Sequence, residues 1–265
     1  MKKLTLVFVA LGLLLCSCSK HWNQVGYGRV FKEDLIGDWV NTNPQEAFTL
    51  TFKDDGTFKQ DYGYDVELTG MWSLPGASVL RTVLGHDASS SKDSSVRLIG
   101  GKNALVISFG DPEEMTTWLL YRKGATTIKS GKLKNGRYDA PHDGIKRIGN
   151  NDKTFTFLIK GNEMELYVFA WGTHLKGTYT IENGVLKYKV TQGWHGVDIV
   201  NGGWSAGDAC INFEDYTFEN KNYQWVDGIQ YAEDFTDIPF CVSDDGKDLY
   251  VSATGLTRWA FLRED

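Results

Sequence analysis

Apolar and polar residues alternate with a period of two over most of this chain. Phe48, Leu50 and Phe52 are separated by Thr49 and Thr51, and Lys53-Asp54-Asp55-Gly56-Thr57 follows as a turn whose glycine accepts positive φ. The spacing predicts a hairpin. Gly70-Met71-Trp72-Ser73-Leu74 keeps the same period, Leu105 to Phe109 is a nearly continuous apolar strand, and Trp118-Leu119-Leu120-Tyr121-Arg122 closes the region. No stretch carries a helical period of useful length. The polar tract Asp87 to Ser95 predicts an exposed loop at one rim.

The same order then recurs. The region opens on Leu35-Ile36-Gly37-Asp38-Trp39, and Leu133 to Tyr138 echoes it with Gly136-Arg137-Tyr138. Phe155-Thr156-Phe157 with a turn at Gly161 echoes Phe48 to Gly56, Gly177 to Ile181 matches Gly70 to Leu74, and Trp259-Ala260-Phe261-Leu262-Arg263 matches Trp118 to Arg122. This is an internal duplication. Glu182-Asn183-Gly184 and Ser243-Asp244-Asp245-Gly246-Lys247 supply further tight turns. Short strands at even spacing favour closure, which removes exposed sheet edges. The expected fold is all-β, two antiparallel barrels in tandem over residues 33–123 and 131–265, the second with an aromatic insertion at about 189–244.

The N-terminus adds an address. Lys2 and Lys3 precede the apolar run Leu4 to Leu15, which is short for a membrane span and long enough for a signal peptide over residues 1–17. Leu15-Cys16-Ser17-Cys18 resembles a bacterial lipobox, so Cys18 is expected to be acylated and residues 18–32 to form a tether. Removing Lys2 and Lys3 takes the formal net charge from -6 to -8, which argues against nucleic acid as a partner. Of the four cysteines, Cys210 and Cys241 remain after processing. In an oxidising compartment they are expected to form a disulfide that stiffens the insertion.

A Gly-x-Trp before the first strand with an arginine ending the last strand resembles the lipocalin signature, carried here by Gly37, Trp39 and Arg122. The second copy offers Gly136, Tyr138 and Arg263, with tyrosine for tryptophan. With its lipobox, the chain is similar to the lipocalin-like domain lipoproteins of Gram-negative bacteria. The resemblance implies that each arginine lies over the aromatic plug of its own barrel and that the protein binds an apolar small molecule. It also implies a cell-envelope location, at the periplasmic face of the outer membrane, since Ser19 and Lys20 carry no aspartate retention signal.

Catalytic chemistry finds little support. His195 and Asp198 lie close in sequence, with His142 and His174 in the same half, but the spacing matches no metal-ligand set. Glu113-Glu114 and Asp54-Asp55 are adjacent carboxylates suited to solvation. There is no Gly-x-Ser-x-Gly, His-Glu-x-x-His or phosphate loop. The expected class is a binding protein, without enzyme activity, cofactor or metal. The ligand either enters a barrel, provided that Phe48, Phe52, Trp72, Phe155, Phe157 and Tyr179 leave room, or is a glycan or protein. That second class would meet Trp194, Trp204, Trp225 and Tyr223 of the insertion, beside Tyr216 and Tyr231.

Overall fold

The computed structural model describes residues 28–41, 47–63, 65–109, 116–139, 155–168, 173–196, 211–212, 217–218, 223–227, 237–252 and 258–262. A one-turn helix α1 (Lys32–Leu35) leads into β1 (Gly37–Asn41), β2 (Phe48–Phe52), β3 (Thr57–Asp61), β4 (Glu67–Gly76), β5 (Val79–Leu84), β6 (Lys92–Ile99), β7 (Ala104–Phe109) and β8 (Thr116–Arg122). Each strand pairs antiparallel with the next, and β8 returns to β1, closing an eight-stranded barrel. The two-residue period decides which side chains go inside. Phe48, Leu50 and Phe52 of β2 are buried, as are Phe58 and Gln60 of β3, while the residues between them are half-buried. Trp39, Trp72, Leu80, Val96, Leu105, Ile107 and Leu120 complete the interior.

The second half repeats this ring. Its strands are β9 (Gly136–Asp139), β10 (Phe155–Lys160), β11 (Glu163–Val168), β12 (Thr173–Glu182), β13 (Val185–Gly196), β14 (Ile211–Asn212), β15 (Thr217–Phe218), β16 (Tyr223–Asp227), β17 (Ile238–Val242), β18 (Asp248–Val251) and β19 (Arg258–Leu262). Strands β9 to β13 and β17 to β19 form the second eight-stranded barrel, closed by β19 on β9 and joined across the insertion by β13 on β17. Tyr138, Phe157, Met164, Leu166, Leu186, Tyr188, Phe240 and Leu249 fill it. The far half of β13 extends beyond this wall and pairs with β16.

Four expectations are corrected. The extra chain of the second barrel is confined to residues 197–237, because β13 continues to Gly196 and β17 is already wall. Cys241 is therefore a wall residue: it pairs with Tyr250 across β17 and β18, and its thiol is free and buried. Cys210, its expected disulfide partner, lies outside the described residues, and neighbouring Ile211 pairs with Phe218 rather than with β17. In the first barrel the polar tract is only half loop, since β6 begins at Lys92 and Asp87 caps a single 3₁₀ turn by accepting from the Ser89 amide at 2.9 Å. Nor does the tether reach residue 32, because Val30 is buried and its amide donates to the Ala77 carbonyl at 2.8 Å.

The barrels pack side by side. Ile99, Ala104, Val106, Leu119 and Tyr121 on the outer wall of the first share an apolar cluster with Ile128 of the connection and with Cys241 and Tyr250 of the second. Arg97 ties the two walls together, donating to Asp248 Oδ2 at 2.5 Å and to Tyr250 Oη at 2.7 Å. The Asn183-Gly184 turn is a docking point as well as a hairpin: Asn183 Oδ1 accepts from the Ile128 amide, and the Gly184 carbonyl accepts from Tyr121 Oη. A Cβ at Gly184 would stand 2.8 Å from atoms of both Tyr121 and Ile128.

These contacts set the relative orientation. Tyr121 and Gly184 both lie at the ends where β1 and β9 begin, whereas Asn41 and Ser252, bonded at 3.3 Å, both lie at the opposite ends. The ends of the two barrels at which β1 and β9 begin therefore lie on the same side of the molecule.

Candidate functional site

The closed end of the first barrel is built on Trp39. Its indole is fully buried, and Nε1 donates to the Leu35 carbonyl at 2.7 Å, four residues back on α1. Arg122 stands opposite in the β1/β8 register, with its guanidinium carbon 4.2 Å from the ring centroid. Its Nη2 and Nη1 donate to the Asp34 and Ile36 carbonyls at 2.6 and 3.2 Å. Gly37 enters β1 with φ of 118°, a conformation costly for any residue with a Cβ. The expected signature of Gly37, Trp39 and Arg122 thus forms a plug and clamp.

The second barrel reproduces the plug with other groups. Gly136 has φ of 135°, and Tyr138 Oη donates to the Gly246 carbonyl while accepting from the Lys134 amide at 2.8 Å, again four residues back. Burial pushes the Tyr138 phenol up to about 12. Leu262 pairs with Tyr138 where Arg122 pairs with Trp39, and a Cβ on Gly136 would come 2.8 Å from Leu262 Cδ1. Arg263, expected there, lies outside the described residues.

At the opposite end of the first barrel the described inner wall is apolar. Inward positions of β2, β7 and β8 carry Phe48, Phe109 and Trp118, whose rings form an arc: Phe48 to Trp118 at 4.9 Å and Phe109 to Trp118 at 4.7 Å between centroids, both edge-on. Tyr62 extends it, 5.6 Å from Phe48. The rim continues through Leu68 and Leu84, inward residues of β4 and β5 near the same end. Tyr62, Leu68 and Leu84 are 40%, 40% and 44% exposed. Deeper in, Phe52 and Trp72 meet at 5.0 Å with their planes tilted by 60° and belong to the filled core. Among the described residues, the inward positions carry no charge between Arg122 at the plug and Lys92 at the rim.

Comparison with models of protein families, with curated proteins and with solved structures finds no match to this chain. Function therefore has to be read from the chain's own geometry.

The other expected site residues are partly brought together. Trp194 stands opposite Trp225 and Gly196 opposite Tyr223, so positions 194, 225 and 223 share one face of the β13/β16 ladder. Trp204, Tyr216, Tyr231, His142, Asp198 and Cys18 lie outside the described residues. His174 pairs with Tyr167 and His195 with Gln224, on different ladders. Among the described residues, no group of three or more His, Cys, Asp and Glu could hold a metal ion. Also among them, no helix is long and apolar enough to cross a membrane.

Sequence reasoning missed Tyr62, Leu68 and Leu84. The available signal was an apolar residue at an inward position next to a turn, where solvent would favour a polar one.

Proposed function

We propose that this chain is a lipid-anchored binding protein related to the lipocalin-like lipoproteins of the Gram-negative cell envelope, and that its first barrel takes an apolar small molecule at the mouth opposite its plug. Cys18 carries the anchor, and the chain faces the periplasm from the outer membrane. The role is binding, without catalysis. The observation behind the reading is an aromatic arc and two exposed leucines on the inner wall of a closed barrel, where the described inward residues carry no charge between Arg122 at the plug and Lys92 at the rim. Exposed apolar groups gathered in one concave place favour a ligand over solvent, at about 25 cal/mol per Å² of apolar surface covered.

The test is titration of the mature chain with the neutral fluorophore N-phenyl-1-naphthylamine. Saturable micromolar binding is expected, weakened about tenfold or more by Leu84→Asp, which places a carboxylate at the rim. Absence of saturable binding would overturn the reading. Cys18→Ala is expected to release the protein from membranes, and recovery of an unmodified mature N-terminus from the wild type would refute the anchor.

A second reading has one observation in its favour. The register that gathers positions 194, 225 and 223 suits a glycan or protein contact through aromatic faces. Under it, Trp194→Ala would abolish binding to an envelope polysaccharide or protein while Leu84→Asp would not.

A further inference from the structure

Like Asn41 opposite Phe48, Gln60 is a buried polar side chain on the inner wall of the first barrel. It is a strongly hydrogen-bonding side chain only 6% exposed, standing between Leu50 and Leu68 in the register of β2, β3 and β4. Its Nε2 donates to Tyr62 Oη at 2.8 Å. An amide offers two donor hydrogens and a carbonyl with two lone pairs, and burial is costly for whatever capacity is left unused. Gln60 thus carries more hydrogen-bonding capacity than its bond to Tyr62 consumes.

Two of the cations near the mouth are engaged on the outer wall, and Lys92 stands at an inward position of the rim, across from Thr82. Lys59 pairs with both Asp61 and Glu67, and Arg81 makes a two-pronged contact with Asp93 at 2.7 and 2.8 Å. Among the described residues, the inward neighbours of Gln60 on β2 and β4 are Leu50 and Leu68, so a charged end placed at Gln60 would meet no opposite charge there.

We infer that the first barrel selects an uncharged, mostly apolar molecule bearing one hydrogen-bonding group, such as an alcohol or a primary amide. That group bonds to the Gln60 carboxamide, and Leu68 and Leu84 cover the apolar body. The inference rests on the mouth being the ligand site.

The experiment displaces N-phenyl-1-naphthylamine from the mature full chain with four probes of equal chain length: decanol, decanamide, decanoate and decyltrimethylammonium. Decanol and decanamide are expected to displace it at concentrations about tenfold lower than either ion. Gln60→Leu should weaken decanol and decanamide about five- to tenfold while leaving the fluorophore's own affinity within about twofold. Gln60→Glu should turn the preference toward decyltrimethylammonium, and it keeps the side-chain shape should the leucine variant fail to fold. Equal displacement by all four probes, or neutral probes indifferent to both substitutions, would overturn the inference while leaving the mouth as a binding site. A wild-type chain that does not bind the fluorophore would overturn both.

Discussion

In the first barrel a buried indole is clamped by a guanidinium that also binds two carbonyls; in the second, a phenol bonds to a backbone turn and an aliphatic side chain fills the clamp position. The ends opposite the plugs diverge further. The junction of β5 and β6 is a short polar loop beside an exposed apolar mouth, whereas the matching junction of β13 and β17 carries residues 197–237 and the β13/β16 ladder. One duplicated ring has kept its plug in both copies and specialised at the rim. The plug position can be met by different chemistry as long as a flat ring, a backbone acceptor and a glycine entry are kept.

The largest expected difference between the barrels concerns buried charge. Asp139 Oδ1 accepts from Arg137 Nε at 2.6 Å and from Thr156 Oγ1 at 2.7 Å, and both ends of the ion pair are almost completely buried. Removing one partner of such a pair costs about 3–5 kcal/mol, so Asp139→Ala should strongly destabilise the second barrel. Asp38→Ala removes a half-exposed carboxylate of β1 and should cost less than about 1 kcal/mol. Hydrogen exchange read separately for each barrel checks both. Equal loss of protection in the two would show that the Arg97 interface makes them one cooperative unit.

The clamp comes next. Arg122→Ala is expected to cost the first barrel about 1–3 kcal/mol through lost stacking, carbonyl bonds and packing, with little effect on fluorophore binding at the far end. Leu262→Ala should cost the second a similar amount, about 1–3 kcal/mol. Because Leu262 already stands opposite Tyr138, Arg263→Ala should change stability by less than about 0.5 kcal/mol. A large Arg263 effect with a negligible Leu262 effect, measured by denaturant unfolding, would reverse the assignment of the clamp.

The smallest effect is one of pH. Burial raises Tyr138 to about 12, above the ordinary phenol value near 10. The neutral phenol's contribution is fully present below the ordinary value and is lost as pH rises through the folded one. Burial raises Tyr188 in the same barrel as well. Between about pH 10 and 12 the plug of the second barrel should therefore loosen while that of the first, whose Trp39 indole does not ionise, holds; the first barrel's buried phenol, Tyr121, is also raised and lies at the interface between the two. Tyr138→Phe should shrink the alkaline difference between the barrels, and an unchanged profile would exclude the phenol as its source.

The strands and the duplication were legible because a half-buried strand writes its inner face at every second residue, as Phe48, Leu50 and Phe52 do. Gly37 with Trp39 and Gly136 with Tyr138 were legible because a glycine entry before an inward ring is local. The residue facing Tyr138 was not, and it is Leu262. Matching residue types aligned Arg263 with Arg122, one residue away from the backbone register, and a slip of one residue exchanges the two faces of a strand. The insertion was placed too wide because Lys189 to Gly196 continues β13 and Ile238 to Val242 is a wall strand, with turn-forming or aromatic residues among them. The mouth was hidden for another reason: Leu68 and Leu84 become a site only when the ring closes and brings together strand ends that are distant in the chain.

Ring closure also bears on how the chain folds. Most neighbouring strands in the first barrel are joined by short turns, but β1 and β8 meet through two residue pairs only, and the Arg122 bond to Ile36 spans 86 residues. The hairpins form from local contacts, and the seam has to wait for the chain ends of the repeat to find each other. The entropy of that encounter grows only with the logarithm of the intervening length. In the second barrel the insertion makes the loop closed by β9 and β19 about half as long again, an added cost of roughly 0.4 kcal/mol. A ring sealed at its two ends can therefore accept tens of extra residues at its rim with little thermodynamic penalty, leaving that rim open to change.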